Sequence, residues 1–156
     1  MAERVDQEMV RQAEKVIGPV VPDPQLAKRL HTRMRQFPMR LRSSGLAAAF
    51  AFAESRSGDG DHLERAYKRL CEAIVQHVRS RHLLELGDRP TARDFLVALS
   101  EADLVTYSRV SAEVDLLAGW LSRIADARYG RLAAAADRAE QQASGRPADG
   151  QREETP

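Results

Sequence analysis

Residues 107–124, YSRVSAEVDLLAGWLSRI, decide the fold class of this chain. Apolar side chains recur there alternately every three and four residues, at Tyr107, Val110, Val114, Leu117, Leu121 and Ile124. This spacing places them along one side of an α-helix, as a seam that packs against another helix. The pattern therefore predicts one long helix, and the alanines at 133–136 allow it to continue to Ala136.

The chain before this helix shows similar spacing, interrupted by turn residues. Residues 2–17 predict a first helix, and a segment rich in proline follows it. A second apolar pattern spans residues 26–52, and Pro38 in its middle must kink or divide the helix. After a Gly-rich turn, Asp61 can cap a third helix that ends near His82.

Two capping patterns predict the start of further helices. Thr91 with Asp94, and Ser100 with Asp103, have the spacing of an N-cap and its acidic partner. The sequence contains neither an alternating strand pattern nor an internal repeat. We therefore predict an all-α fold, a compact bundle of about five to seven helices with no sheet.

The domain organisation follows from length and composition. A chain of 156 residues fits one domain. We predict a single helical domain at 1–142, with an N-terminal helix at 1–18 and a core bundle at 25–142. Residues 143–156, ASGRPADGQREETP, have no apolar anchor, and we expect a disordered tail there.

Composition also restricts the environment of the protein. One cysteine, Cys71, excludes an internal disulfide and favours a reducing compartment. No apolar run reaches the roughly 20 residues that span a bilayer. The first residues, MAERVDQEMVRQ, are charged throughout, unlike a secretory signal. We expect a cytoplasmic protein without a membrane partner.

The sequence gives no support for catalysis or metal binding. The four histidines, at 31, 62, 77 and 82, contain no i, i+4 pair of the kind that forms helical metal sites. A turn followed by an N-cap explains Asp59-Gly60-Asp61 better than a cation loop does. Cys71 lies near an apolar helix face and is better interpreted as a core residue than as a nucleophile. We predict no catalytic residue, no metal and no cofactor.

One stretch is strongly basic although the formal net charge of the chain is only +1. No acid occurs between Asp23 and Glu54, whereas six cations do: Lys28, Arg29, Arg33, Arg35, Arg40 and Arg42. On a helical wheel, one group lies on a flank of the apolar stripe: Arg29, Arg33 and Arg40. The other group lies roughly opposite that stripe: Lys28, Arg35 and Arg42.

This charge run suggests a surface that binds a polyanion. Ordinary helix faces mix charges so that i, i+4 pairs form, as at Glu64 and Lys68, whereas the six cations forgo such pairing. We therefore favour neutralisation of phosphates. Phe37, Phe50 and Phe52 resemble core residues, so the stretch offers no platform for base stacking. This indicates contact with a nucleic-acid backbone without base readout.

Three aromatic or basic residues of the last helix are candidates for contacts with a partner. Trp120 suits an interface anchor, but its place beside the seam fits core packing at least as well. Arg128 and Tyr129 are weaker candidates for contacts at the surface.

Two segments carry a family pattern. Residues 33–56, RMRQFPMRLRSSGLAAAFAFAESR, include Pro38, Leu41, Gly45, Leu46, Ala51 and Phe52. Residues 106–127, TYSRVSAEVDLLAGWLSRIADA, include Tyr107, Glu113, Leu117, Trp120, Leu121, Arg123 and Ala125. In this order, the two segments resemble the small helical subunit of type III-B CRISPR effector complexes, the Cmr ribonucleoprotein. Mild departures from its motifs occur at Phe37, Ser44, Ser111 and Ser122, and the serine at 44 replaces an asparagine.

The resemblance implies a non-catalytic subunit in antiviral defence. Copies of that subunit stack into a short filament along the complex and line the path of the crRNA–target RNA duplex. The expected partners are the CRISPR backbone and large subunits, crRNA and target RNA, and further copies of the chain itself. The expected RNA contacts are Arg33, Arg35, Arg40 and Arg42, with Lys28, Arg29 and Arg123 as secondary candidates.

A different class of function remains compatible with the same residues. The chain could be a helical protein-interaction module whose basic face docks an acidic partner. A small DNA-binding regulator fits less well, because no short helix–turn–helix unit with a polar recognition helix is present.

Overall fold

The computed structural model describes residues 4–17 and 23–145, and within them it contains six α-helices and no strand. The helices are α1 (Val5–Ile17), α2 (Pro24–Ser44), α3 (Leu46–Ser55), α4 (His62–Ser80), α5 (Ala92–Glu101) and α6 (Leu104–Ser144). The predicted all-α class is confirmed.

The last helix, α6, is the spine of the bundle. Its 41 residues extend about 60 Å at 1.5 Å per residue. Four residues of the predicted seam are fully buried: Val110, Val114, Leu117 and Leu121. Helix α2 packs most extensively against α6, and α1 lies against both α6 and α4. The seam is therefore the contact around which the other helices assemble.

The break between α2 and α3 lies at Gly45. Pro38 is inside α2, which continues to Ser44, so the helix is not divided at the proline. Proline removes one backbone hydrogen bond, but its fixed φ is compatible with a helix. Gly45 instead adopts φ +82°, a conformation that a residue without a Cβ reaches at low cost, and its N–H donates to Leu41.

Side-chain caps determine where several helices begin. Thr91 and Asp94 form the predicted capping box, and the hydrogen bonds from Thr91 lower the pKa of Asp94. The predicted pairing of Ser100 with Asp103 is wrong. Ser100 lies inside α5 and its hydroxyl donates to the Val97 carbonyl, which leaves Asp103 itself as the N-cap of α6.

The last helix extends slightly beyond the predicted end of the core bundle. Helix α6 continues to Ser144, so residues 143 and 144 are helical and the helix passes the predicted boundary at 142. The predicted tail beyond 145, and the ends of the predicted helix at 1–18, lie outside the described residues.

Tyr129 anchors α1 to α6 and is not a surface residue. Its hydroxyl donates to the Ile17 carbonyl at 2.6 Å, and burial raises its pKa. It follows Leu121 and Ala125 at a four-residue spacing, so it lies on the buried side of the helix. Beside it, Arg128 pairs with α1 through Glu14 at 2.7 Å. The predicted surface role of Tyr129 is therefore corrected.

Candidate nucleic-acid interface

Helix α2 has one buried face, and the basic residues lie on the two flanks beside it. The buried side consists of Ala27, Leu30, Met34, Phe37, Pro38 and Leu41. One charged flank is directed towards α6, and the other is directed towards α3 and α4. The two flanks carry different members of the basic run.

The flank towards α6 forms ion pairs, here called the ladder. Its cations are Lys28, Arg35 and Arg42, with the His31 imidazole between them, and its acids are Asp115, Asp126, Asp137 and Glu140. Later cations meet earlier acids, so α2 and α6 run antiparallel. Three of the six cations of the basic run, Lys28, Arg35 and Arg42, therefore have acidic partners in the structure. These acids lie on α6, roughly 70–110 residues further along the chain, where no i, i+4 analysis detects them.

The ladder is tight at one end and loose along the rest. Lys28 Nζ lies 2.8 Å from Asp137 and 2.5 Å from Glu140, and hydrogen bonds to these acids raise its pKa. Arg35 Nε lies 3.8 Å from Asp126, and the Arg35 side chain is 58% exposed. Arg42 Nε lies 3.6 Å from Asp115 and its side chain is 72% exposed. Lys28 is thus engaged by acids of the same chain, whereas Arg35 and Arg42 remain accessible to a ligand.

Helical spacing explains this difference in tightness. Three cations recur every seven residues, about 10 Å along the axis: Lys28, Arg35 and Arg42. Three acids recur every eleven residues, about 16 Å along the axis: Asp115, Asp126 and Asp137. Two rows with different repeats cannot be in register at every step. Asp126 is instead approached most closely by His31, whose Nε2 lies 2.5 Å from its carboxylate.

The opposite flank carries Arg29, Arg33 and Arg40, none of which forms an ion pair with the described part of the chain. The Arg40 guanidinium carbon lies 3.6 Å from the centroid of the Phe52 ring. Arg56 approaches the same ring at 5.2 Å. Arg33, Arg56 and Phe52 line one shallow groove of about 340 Å³ together with Asp61 and Glu64, whose carboxylates accept hydrogen bonds from the backbone N–H groups of Glu64 and Gly60. We call Arg33, Arg40, Arg56 and Phe52 the Phe52 cluster.

Phe52 differs from the other two phenylalanines of the basic stretch. Phe37 and Phe50 are buried, as predicted. Phe52 is only partly buried and meets Tyr67 edge to face at a centroid distance of 6.3 Å. Arg40 covers its ring, so in this structure the ring holds a cation and is not free to stack on a base.

Sequence reasoning missed Arg56. It follows Glu54, so it falls just outside the acid-free stretch, although it closes the quoted segment 33–56. It is the C-cap of α3, and the turn at Gly45 brings α3 back beside α2. The only sequence feature that pointed to Arg56 was its place as the last residue of the family segment 33–56, because the charge pattern ends before it.

Arg123 lies apart from the Phe52 cluster. It is exposed on α6 and lies 5.3 Å from the ring of Trp120. Trp120 is partly buried against the core and borders a small groove together with α1 residues. Trp120 therefore packs against the core, and part of its side chain remains accessible.

Several other features limit the chemistry of the described residues. Among them, no group of three or more His, Cys, Asp and Glu side chains could hold a metal ion. Burial raises the pKa of the Cys71 thiol to about 12, so the reactive thiolate is scarce at neutral pH. No helix in the part that the structure describes is long and apolar enough to cross a membrane.

Comparisons with known proteins agree with this architecture. A family model described as "CRISPR-associated protein (Cas_Cmr5)" matches residues 2–128. A Thermus thermophilus protein named "CRISPR system Cmr subunit Cmr5" is 33% identical over 92 residues, which cover 59% of this chain and 68% of the relative.

A solved structure extends the likeness to the fold. It is an X-ray crystal structure of a CRISPR-associated Cmr5 family protein from Thermus thermophilus, and it is similar with a TM-score of 0.56. The identity is 26%, and the match covers 81% of this chain and 98% of that one. The resemblance found in segments 33–56 and 106–127 is thereby confirmed. Because the family model spans most of the sequence, this chain belongs to the CRISPR-associated Cmr5 family, a family of subunits of the CRISPR Cmr system.

Proposed function

We propose that this protein is a non-catalytic small subunit that binds the phosphate backbone of the crRNA–target RNA duplex through the Phe52 cluster and Arg29. In this proposal, copies stack along the complex in the cytoplasm beside the backbone and large subunits. The thiol of Cys71 is buried and its raised pKa keeps it protonated, which supports a role other than nucleophilic catalysis.

The observation that carries the RNA proposal is the grouping of three arginines around one groove. Arg40 and Arg56 lie over the Phe52 ring, Arg33 lines the same groove, and none of the three forms an ion pair with an acid of the described chain. Like charges brought together repel one another, and phosphate groups would remove that repulsion. Arginine also donates hydrogen bonds in a planar fork that matches phosphate oxygens.

The remaining predicted contacts take different places in the proposal. Arg29 lies one turn before Arg33 on the same exposed flank and extends the cluster along α2. Arg35 and Arg42 are exposed and loosely paired, so they can turn towards RNA at low cost. Lys28 is already held by two acids, and Arg123 lies elsewhere on α6. We therefore rank Arg33, Arg40 and Arg56 first.

A salt titration with two matched variants tests this proposal. Arg40→Gln removes a cluster cation, and Arg93→Gln removes an exposed arginine from α5 as a control. Binding of single-stranded RNAs of several sequences is followed by fluorescence anisotropy across salt concentrations. Arg40→Gln should weaken binding equally for all sequences and reduce the slope of log Kd against log salt by about 0.7–1.

Two outcomes would contradict the proposal. A loss that depends on RNA sequence would refute contact with the backbone alone. Equal slopes for Arg40→Gln and Arg93→Gln would remove the Phe52 cluster from the interface and favour an acidic protein as the partner of the basic face.

A further inference from the structure

A second site lies along α4, away from the residues assigned to RNA. An open groove of about 840 Å³ is bordered by α1, by α4 and by the loops that precede α4 and α5. The side chains of Ala73, Cys71 and Val75 in its lining are buried. The groove thus has a small apolar floor between polar walls.

The wall beside α1 contains a cation without a counter-charge. Arg69 is half-buried, yet it forms neither a hydrogen bond nor an ion pair with the described residues, and its Nε is enclosed without an acceptor. Removing a guanidinium from water without pairing it is costly. Lys15, which lines the same groove, likewise makes no ion pair there. Neither Arg69 nor Lys15 is therefore paired with an acid of the described residues.

A neighbouring amide lacks a hydrogen-bond donor. Gln12 is only 2% exposed, and its Nε2 donates to Glu8 at 2.7 Å, but its Oε1 has no partner. Buried polar atoms are rarely left unsatisfied. Gln12 and Lys15 are three residues apart and lie on the same side of α1. The missing hydrogen-bond donor and the missing anion therefore border the same groove.

The rest of the groove lining disfavours RNA as the occupant. It carries the acids Glu54, Asp59, Glu72 and Asp88, together with Lys68 and Arg89. Lys68 is already paired with Asp59 at 2.7 Å. Together with burial, the negative charges of Glu54 and Glu72 both help to raise the pKa of Cys71. A polyanion would be repelled there, whereas a polypeptide can present an acid to one wall and a polar or basic group to the other.

The described residues of a second copy offer few unengaged acids for this site. Ion pairs engage Glu8, Glu14, Asp59, Asp88, Glu113 and the four ladder acids. Caps and backbone hydrogen bonds engage Asp6, Asp23, Asp61, Glu64, Asp94 and Asp103. Outside the groove, only Glu85 and Glu101 remain unengaged among the described acids.

We propose that this groove docks a polypeptide segment of a different Cmr subunit, which places a carboxylate against Arg69 and Lys15. An N–H of the same segment is the donor that Gln12 Oε1 lacks. The inference rests on membership of the Cmr complex and is independent of the RNA contact at the Phe52 cluster.

Lysine footprinting tests the proposal directly, because the chain has only three lysines: Lys15, Lys28 and Lys68. Acetylation of each is followed by mass spectrometry in the isolated protein and in the reconstituted complex, before and after digestion of RNA. Lys15 should react about tenfold more slowly in the complex and remain protected without RNA. Lys28, already held by its two acids, is the internal reference.

A carbodiimide cross-linker, which joins amines to adjacent carboxylates, identifies the occupant. A cross-link from Lys15 to an acid of another Cmr subunit supports the proposal. An unprotected Lys15, protection lost on RNA digestion, or a cross-link to any acid of a second copy would each overturn it. If the RNA proposal alone fails, Arg40→Gln will bind RNA normally while the Lys15 cross-link persists.

Three substitutions complete the test. Lys15→Gln should weaken incorporation into the complex about tenfold, whereas Lys68→Gln, on the other wall, should change it less than about twofold. Arg69→Met should also weaken incorporation without lowering the Tm of the isolated chain, because the cation it removes has no partner there. Normal incorporation of Lys15→Gln would contradict the docking site even if Arg69→Met failed to fold.

Discussion

The two flanks of α2 began as one basic run in the sequence, and the fold gives them different partners. Towards α6, three cations and the His31 imidazole meet four acids of a distant helix. Towards α3, Arg40 and Arg56 lie over the Phe52 ring, and Arg33 lines the same groove. The cations of the ladder are offset by acids, whereas the arginines of the Phe52 cluster form no ion pair with the described residues. A run of one sign in a sequence therefore locates charges, but only the neighbouring helices decide which of them remain available for a ligand.

The largest expected effect comes from truncating a buried core side chain of α2 that lies between its two charged flanks. Met34 is buried on α2 between them. Met34→Ala would leave a cavity and lower the free energy of unfolding by about 2–5 kcal/mol. Chemical denaturation of the wild type and the variant measures this loss. A change below about 1 kcal/mol would show that α2 is not held by this core contact.

The turn at Gly45 should affect the cluster flank more than the ladder. An added Cβ meets no atom within 4 Å, so Gly45→Ala is opposed only by the φ of +82°. That conformation should cost about 1–3 kcal/mol. Because this turn places Phe52 beside Arg40, RNA affinity should fall along with stability. Unchanged RNA affinity in a destabilised Gly45→Ala protein would separate the turn from the interface.

Arg33 and Arg35 form a matched pair, two residues apart on opposite flanks. Arg33→Gln should weaken RNA binding about tenfold, as expected for loss of one charge-assisted contact. Arg35→Gln should weaken it about twofold, because Asp126 already offsets part of its charge. Anisotropy titrations at one salt concentration measure both variants. Equal losses would mean that both flanks face RNA.

The smallest expected effect concerns the tight end of the ladder. Its acids raise the pKa of Lys28 above the ordinary 10.5, so the pairing stabilises the fold fully below pH 10.5 and is lost as pH rises through the folded value. The Tm difference between wild type and Lys28→Gln should therefore shrink in alkaline solution and in high salt. Burial also raises the pKa of Tyr129, but both proteins share that residue, so the difference isolates Lys28.

Local sequence rules predicted several parts of the structure. The seam from Val110 to Leu121, the capping box at Thr91 and the core positions of Phe37 and Phe50 depend on helical period and on neighbours within four residues. Ser100 shows where these rules end. Its spacing to Asp103 is correct for a cap, but α5 continues through it and uses its hydroxyl internally.

The candidate site was only partly predictable for the same reason. Arg33 and Arg40 could be named from the acid-free stretch, whereas Arg56 follows an acid and enters the cluster only because α3 turns back at Gly45. Tyr129 continued a visible four-residue spacing, yet nothing local indicated that α1 would cover it.

The sequence by itself determined the helical class, most helix limits, the family pattern and the position of the basic run, because each depends on periodicity or on residues close in the chain. Only the tertiary structure decided which cations stay available. Lys28 finds its acids more than a hundred residues away, and Arg40 finds a ring across a turn. Charge pairing acts through space over a few ångströms, so the packing of α2 against α6 and α3 sets it.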